Sequence, residues 1–445
     1  MTASPPRLRI TGLAPSLFVG LAIALAGCAS TGPARPPVDI SSGEPRAPVE
    51  ESTAPDADPQ GADADTAEAD EASLDELLDQ LGESEDGVIP PFMAERDVTR
   101  LAVLLPFSHP NANVRREAEG LLAGAELALF ERSEGNILLL PKDTRGSLSG
   151  AESAISEALE EGADIIIGPL FGDNVKVATE PAREAAVPVI AFSNDRTAAG
   201  NGAYLIAVSP EVEVARIVDW ASREGVDSYA FLGPSSSYGR RAQSALRIEA
   251  ARRGANVIGS EFYAPSNEAP VDEAKRLSEI LKPEVEARPG RVAVLIPERG
   301  QKLIAVAPLL PYYDVDVRKV KMLGTSQWND PRVWREPTLQ LGVFPAADPE
   351  DSATFEASHE RIYGSAPSDL SSLGYDATAM AIGLSARGEI DRQAIESRSG
   401  FRGVGGIFRF RIDGTAERGL AVMQITPEGL VVALPAPREF DRPIN

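Results

Sequence analysis

The residues best suited to chemistry are few: one thiol, two imidazoles and seven lysines in 445 residues. Cys28 has no second cysteine with which to close a disulfide. His109 and His359 are too few for a histidine-rich metal site, and His109, in Ser108-His109-Pro110, reads as a solvated loop residue. No lysine stands three residues after a serine, so there is no Ser-x-x-Lys acyl-transfer centre. Gly-x-Ser-x-Gly is absent, and with it the turn that exposes a hydrolase nucleophile. Neither Gly-x-x-x-x-Gly-Lys nor His-Glu-x-x-His occurs. The pairs Glu160-Glu161 and Asp314/Asp316 read as solvated faces rather than acid–base dyads. Gly233-Pro234-Ser235-Ser236-Ser237-Tyr238-Gly239 reads as a strand-to-helix turn capped by Ser237 rather than a phosphate cradle. Trp328 and Trp334 read as packing residues, with a stacking wall for a ligand ring as the alternative. The chain therefore reads as a non-enzyme without cofactors, whose chemistry is binding and attachment.

Cys28 closes Leu25-Ala26-Gly27-Cys28 at the end of an apolar run. Arg7 and Arg9 supply a positive start, and residues 17–26 an apolar stretch of signal-peptide length, too short to span a bilayer. The arrangement resembles a bacterial lipobox. That resemblance implies removal of residues 1–27 as a signal peptide and lipidation of the Cys28 thiol. Ala29 and Ser30 lack the aspartate that favours inner-membrane retention, so the implied address is the periplasmic face of the outer membrane. No other stretch is long enough to cross a bilayer, and the acyl chains would be the whole anchor.

The net charge of −24 argues against nucleic-acid partners and against binding an anionic membrane by charge. Much of it is local: residues 44–86 hold sixteen acids against Arg46 alone. Residues 28–98, rich in Pro, Ala, Asp, Glu and Ser, bury too little to offset chain entropy and read as a disordered tether. About 70 residues of such coil typically span roughly 45 Å, and about 230 Å when fully extended. Within it Leu74, Leu77, Leu78 and Leu81 share one helical face, with a Ser73/Glu76 capping box and Gly82 as a stop. A short helix at 73–81 is expected. It either docks on nothing or its own domain, or fits a partner groove.

These functional residues need a scaffold, and the elements alternate regularly from residue 99. Apolar strands at 101–107, 136–140, 164–168 and 187–193 enclose helices at 114–131, 148–161 and 173–186. The pattern restarts with strands at 228–233, 256–259, 291–297 and 320–324 among helices at 212–224, 238–253, 271–281 and 301–310. Near-continuous apolar strands between helices predict parallel sheets covered on both faces. The expected fold class is α/β, with two doubly wound lobes.

That order, with Leu104-Leu105-Pro106, Asp143-Thr144, Ile166-Ile167-Gly168-Pro169, Val187-Pro188-Val189-Ile190 and Leu373-Gly374-Tyr375-Asp376-Ala377, resembles the type I periplasmic binding-protein fold of the leucine-binding kind. The resemblance runs from Leu101 to about Pro435. It implies a three-crossing hinge, lobe one at 99–208 and 342–415, and lobe two at 209–341 and 416–435. Ligands of open α/β sheets bind beyond the carboxyl ends of the strands. The candidates there are Phe107, Thr144, Leu170, Phe171, Ser193 and Asn194 of lobe one, with Tyr238 and Trp328 of lobe two. Amino-acid binders of this family carry paired hydroxyls after the third strand. This chain carries Leu170-Phe171-Gly172 instead, so the likeness does not carry over amino-acid capture.

A narrower set, comprising Cys28, the acidic linker, Gly168-Pro169-Leu170 and Gly324-Thr325-Ser326-Gln327-Trp328-Asn329-Asp330, is similar to the penicillin-binding-protein activator lipoproteins. That likeness implies contact with, and activation of, a bifunctional peptidoglycan synthase, although no 34-residue helical repeat precedes residue 99 as it does in better-known members. The alternative function is a solute-binding lipoprotein that delivers a small polar, amino-acid-like ligand to an ABC transporter.

Overall fold

Burial explains the pairing of the strands. In the computed structural model, which describes residues 37–39, 93, 97–133 and 135–440, β1 (Val38–Asp39) stands apart and the first large sheet begins at β2 (Thr99–Leu105). It continues through β3 (Ile137–Asp143), β4 (Ile165–Ile167), β5 (Val189–Ala191) and β6 (Ala203–Leu205) in the order β3-β2-β4-β5-β6, all parallel. The crossovers are α1 (Ala112–Arg132), α2 (Leu148–Glu160) and α3 (Gly172–Glu184). β4 is three isoleucines, all fully buried, as a strand covered on both faces must be. At its end Gly168 takes φ +104, and a Cβ there would strike the carbonyl oxygen of Leu104 on the neighbouring strand.

The second sheet has seven strands in the order β16-β15-β11-β10-β9-β7-β8. Its parallel part comprises β7 (Ser228–Pro234), β8 (Asn256–Tyr263), β9 (Val292–Leu295), β10 (Val320–Leu323) and β11 (Val343–Ala346). The helices are α4 (Pro210–Arg223), α5 (Ser237–Arg252), α6 (Val271–Ala287), α7 (Gly300–Val306) and α8 (Leu309–Tyr312). The one helix expected at 301–310 is two, because Pro308 cannot continue α7. The strand expected to end at 259 runs to Tyr263, paired with β7 as far as Pro234.

Beyond β11 lie α9 (Pro349–Tyr363), α10 (Ser371–Ser385) and α11 (Arg392–Ile395). A small sheet follows in the order β1-β12-β13-β14, with β12 (Phe401–Gly403), β13 (Gly406–Phe410) and β14 (Ala416–Arg418). β15 (Ala421–Thr426) and β16 (Gly429–Leu434) then close the second sheet antiparallel.

One boundary is corrected. The return to lobe one, expected at residue 342, comes after Ala346, since β11 is hydrogen-bonded to β10 and β15 in the second sheet. A fourth crossing was not expected. After β16 the chain turns back, the Ala436 N–H donating to the Asp348 carboxylate and Arg438 pairing with Glu350 and Asp351 of α9. The signal peptide, Cys28, nearly all of the acidic linker and the helix expected at 73–81 lie outside the described residues.

Candidate functional site

The carboxyl ends of the first sheet's strands build one wall. After β3, the fully buried Thr144 hydroxyl accepts from the Gly146 N–H at 3.4 Å. After β5, buried Ser193 accepts from the Asp195 N–H at 3.1 Å, while Asn194 is exposed. Phe107 and Leu170 are half-buried against the lobe-one core. Phe171, the residue before α3, lies beside His109 with ring centroids 5.7 Å apart. His109 is a loop residue, as expected, but partly buried rather than fully solvated, with its ring against Phe171. Its ring nitrogen Nδ1 accepts from the Asn111 N–H at 3.1 Å. Burial pushes the Asp143 carboxyl up, but the Ser108 hydroxyl and the Arg145 and Ser108 amides outweigh it and hold it below its ordinary range. This wall is apolar and aromatic with small hydroxyls at its floor.

The facing wall comes from lobe two and is polar. Glu213, in the first turn of α4, is only 2 % exposed. It accepts from the Ser326 N–H at 2.7 Å and from the Tyr238 hydroxyl at 3.0 Å. Burial raises the Glu213 carboxyl above its ordinary range despite those bonds, because no cation is paired with it. The Tyr238 phenol is raised too, by burial and by the charge of Glu213. The Thr325 hydroxyl is buried beside Tyr238 without closing a well-formed hydrogen bond. Glu211 takes two bonds from the Arg241 guanidinium, at 2.8 and 2.7 Å. Burial pushes Glu211 up, but the Arg241 bonds outweigh it and leave the carboxyl lowered.

The two walls feel each other. Burial raises Asp195 of lobe one, but the Thr197 amide and hydroxyl and the charges of Lys176 and Arg241 bring it below its ordinary range. Arg241 belongs to lobe two, so its charge acts on an acid of lobe one.

Trp328 is not part of either wall, which corrects its candidacy. It is fully buried in the lobe-two core, and its indole N–H donates to the Ile296 carbonyl at 3.0 Å. Gly324 and Gly342 give it room, since a Cβ at either would collide with the indole. Trp334 packs on the same core and donates to the Trp328 carbonyl. The helix cap in the glycine-rich turn is Ser236, accepting from Gly239 N–H, rather than Ser237. Sequence reasoning missed Glu213, Glu211, Arg241 and Asp195. Glu213 left a trace, an acid on the stripe otherwise formed by Pro210, Val214, Ile217 and Val218.

Two shallow concavities lie away from the strand ends. One of about 410 Å³ is lined by Ile155, Leu159, Val177 and Pro181 between α2 and α3, and one of about 400 Å³ by Arg392, Glu396, Phe410 and Ile412. Among the described residues no His, Cys, Asp and Glu cluster could hold a metal ion, and no helix is long and apolar enough to cross a membrane.

Comparison with known proteins agrees with this architecture. A family model described as periplasmic binding protein matches residues 98–429. A curated, uncharacterised protein of Rickettsia prowazekii is 20 % identical over 339 residues, covering 75 % of this chain and 88 % of its own length. A branched-chain amino acid ABC transporter ligand-binding protein of Burkholderia xenovorans aligns with a TM-score of 0.62 at 15 % identity, over 76 % of this chain and 96 % of that one. A leucine-binding protein of Thermotoga maritima gives 0.56 at 16 %, over 76 % and 99 %. A solute-binding protein from R. palustris in complex with benzoate gives 0.55 at 14 %, over 78 % and 99 %.

Proposed function

The chain belongs to the periplasmic binding protein family, and from that premise we propose that it is a non-enzymatic periplasmic receptor whose lobes close on a small solute with an apolar or aromatic body and a polar end. The asymmetry of the cleft walls carries this reading. Phe171, His109 and Leu170 form an apolar face on one side, while on the other Tyr238, Ser326 and Arg241 form a polar face, held in place by buried Glu213 and by Glu211. Such a pairing suits a ligand buried between a hydrophobic wall and a few placed polar groups. A free aliphatic amino acid fits poorly, because Leu170-Phe171 removes the hydroxyls that capture its carboxylate.

Calorimetry with benzoate, hydroxybenzoates and the branched-chain amino acids tests this. Binding of an aromatic solute is expected, weakened about tenfold or ~1.4 kcal/mol by Arg241→Ala or Tyr238→Phe. Sub-micromolar binding of leucine, isoleucine or valine, lost on changing Ser193 or Tyr238, would overturn the ligand class.

A second reading is supported by Cys28 at the end of its apolar run and by the long acidic linker. In it the protein is an outer-membrane lipoprotein that contacts and activates a peptidoglycan synthase of the penicillin-binding-protein type. Affinity capture from envelope extracts, with partners identified by mass spectrometry, distinguishes the two. Recovery of a synthase favours this reading, and recovery of permease subunits favours the first.

A further inference from the structure

β1 places a second anchor point where the sequence suggests only tether. Val38 and Asp39 pair in parallel with Phe401 and Arg402 of β12, and the Val38 N–H donates to the Gly400 carbonyl at 3.0 Å. The Val38 side chain packs against the lobe-one core. β1 thereby covers what is otherwise the open edge of the small sheet, leaving β12 no unpaired ladder on that side. Pro36 and Pro37 precede it, and a fixed proline φ favours the extended backbone that edge pairing needs.

We propose that the β12 edge is a docking site for the chain's own residues 38–39, and that docking switches the reach between Cys28 and the two-lobed body. This holds whether or not Cys28 is lipidated and whatever the cleft binds. With β1 in place, only nine residues separate Cys28 from Val38. They allow about 35 Å when extended and roughly 17 Å as coil. With β1 released, sixty-four residues separate Cys28 from buried Met93, or roughly 45 Å as coil and about 220 Å extended.

The contact is built to be reversible. Two paired residues and one half-buried valine make the contact, and the entropy of closing the chain between Asp39 and buried Met93 opposes it. The freed edge would present the Gly400 carbonyl and the β12 ladder to any extended segment, the means by which a partner strand could release the tether.

The test uses the mature chain from residue 28, in which Cys28 is the sole native thiol. A second spin label at Arg398→Cys, two residues before Gly400, reports the distance by double electron–electron resonance. The expected mean lies near 20 Å, and Val38→Pro, which removes the N–H donor, shifts it to about 45 Å or more. Deleting residues 48–88 leaves the short distance unchanged, because the deletion falls inside the closed loop. In a Cys28→Ser background, Asp39→Cys with Arg402→Cys forms an intramolecular disulfide on mild oxidation, and adding Val38→Pro prevents it. A wild-type distance already near 45 Å that shrinks with the deletion, or a Val38→Pro variant that keeps the short distance, overturns the proposal. Circular dichroism on each variant separates loss of docking from loss of fold.

Discussion

Two buried carboxylates show how a partner decides what burial does. Asp376 of α10 is fully buried, accepts from the Val404 N–H at 2.7 Å and pairs with Arg418 at 3.2 Å. Arg418 in turn donates to the Ile206 carbonyl, so the pair ties the first and third interlobe crossings to one helix. Burial raises the Asp376 carboxyl and lowers the Arg418 guanidinium, each partly offset by the other's charge. Asp376→Asn removes that offset and leaves a buried guanidinium unpaired. A loss of about 3–5 kcal/mol is expected in urea unfolding. Glu213 has no cation to lose. Its raised pKa means that its contribution to stability is fully present below the ordinary glutamate range and is lost as pH rises through the folded value. Melting temperatures between pH 4 and 8 should therefore decline less for Glu213→Gln than for the wild type. Identical profiles would show that Glu213 does not titrate as its burial implies.

At the scale of elements, close approach carries lobe one. α1 and α10 cross where Gly124 and Gly374 leave no room for a side chain. A Cβ at Gly374 would strike the Leu121 carbonyl oxygen, and one at Gly124 the Ser371 carbonyl oxygen. Gly374→Val should part the helices and cost about 1–3 kcal/mol, with most of the loss in lobe one as read by hydrogen exchange. Wild-type protection across α1 and α10 in that variant would refute the crossing. The cleft depends on a cap as well. Ser209 accepts from the Val212 N–H at the start of α4, the helix that presents Glu211 and Glu213. Ser209→Ala should cost about 1 kcal/mol of stability and weaken solute binding, whereas an unaltered affinity would show that α4 holds its first turn without the cap.

For the whole molecule the question is how the lobes move. The tail after β16 returns to lobe one, where Arg438 bridges to Glu350 and Asp351 and Phe440 lies 4.2 Å under the Arg409 guanidinium. This strap adds a fourth connection to the three that the family resemblance implied. Arg438→Glu places a like charge beside both acids. Small-angle scattering should then show a larger radius of gyration without ligand and a greater contraction on binding. A radius unchanged from wild type in both states would mean that the strap does not restrain opening.

The sequence by itself determined what depends on neighbours along the chain. Alternating apolar strands and amphipathic helices, the glycine at 168 and the hydroxyls and rings at the strand ends all follow from local patterns, and with them the parallel part of both large sheets. The missing catalytic spacings are equally local. Only the tertiary structure decided what depends on residues far apart. β11 joins the second sheet because β10 and β15 flank it, which no run of residues around 343 reveals. Trp328 is core rather than cleft because Gly324, Gly342 and the Ile296 carbonyl enclose it from three segments. Glu213 can be buried only because Tyr238 and Ser326 converge on it from 25 and 113 residues away. Periodicity reports which face of an element is buried. It does not report which distant polar group that face will meet, and a binding site is made of such meetings.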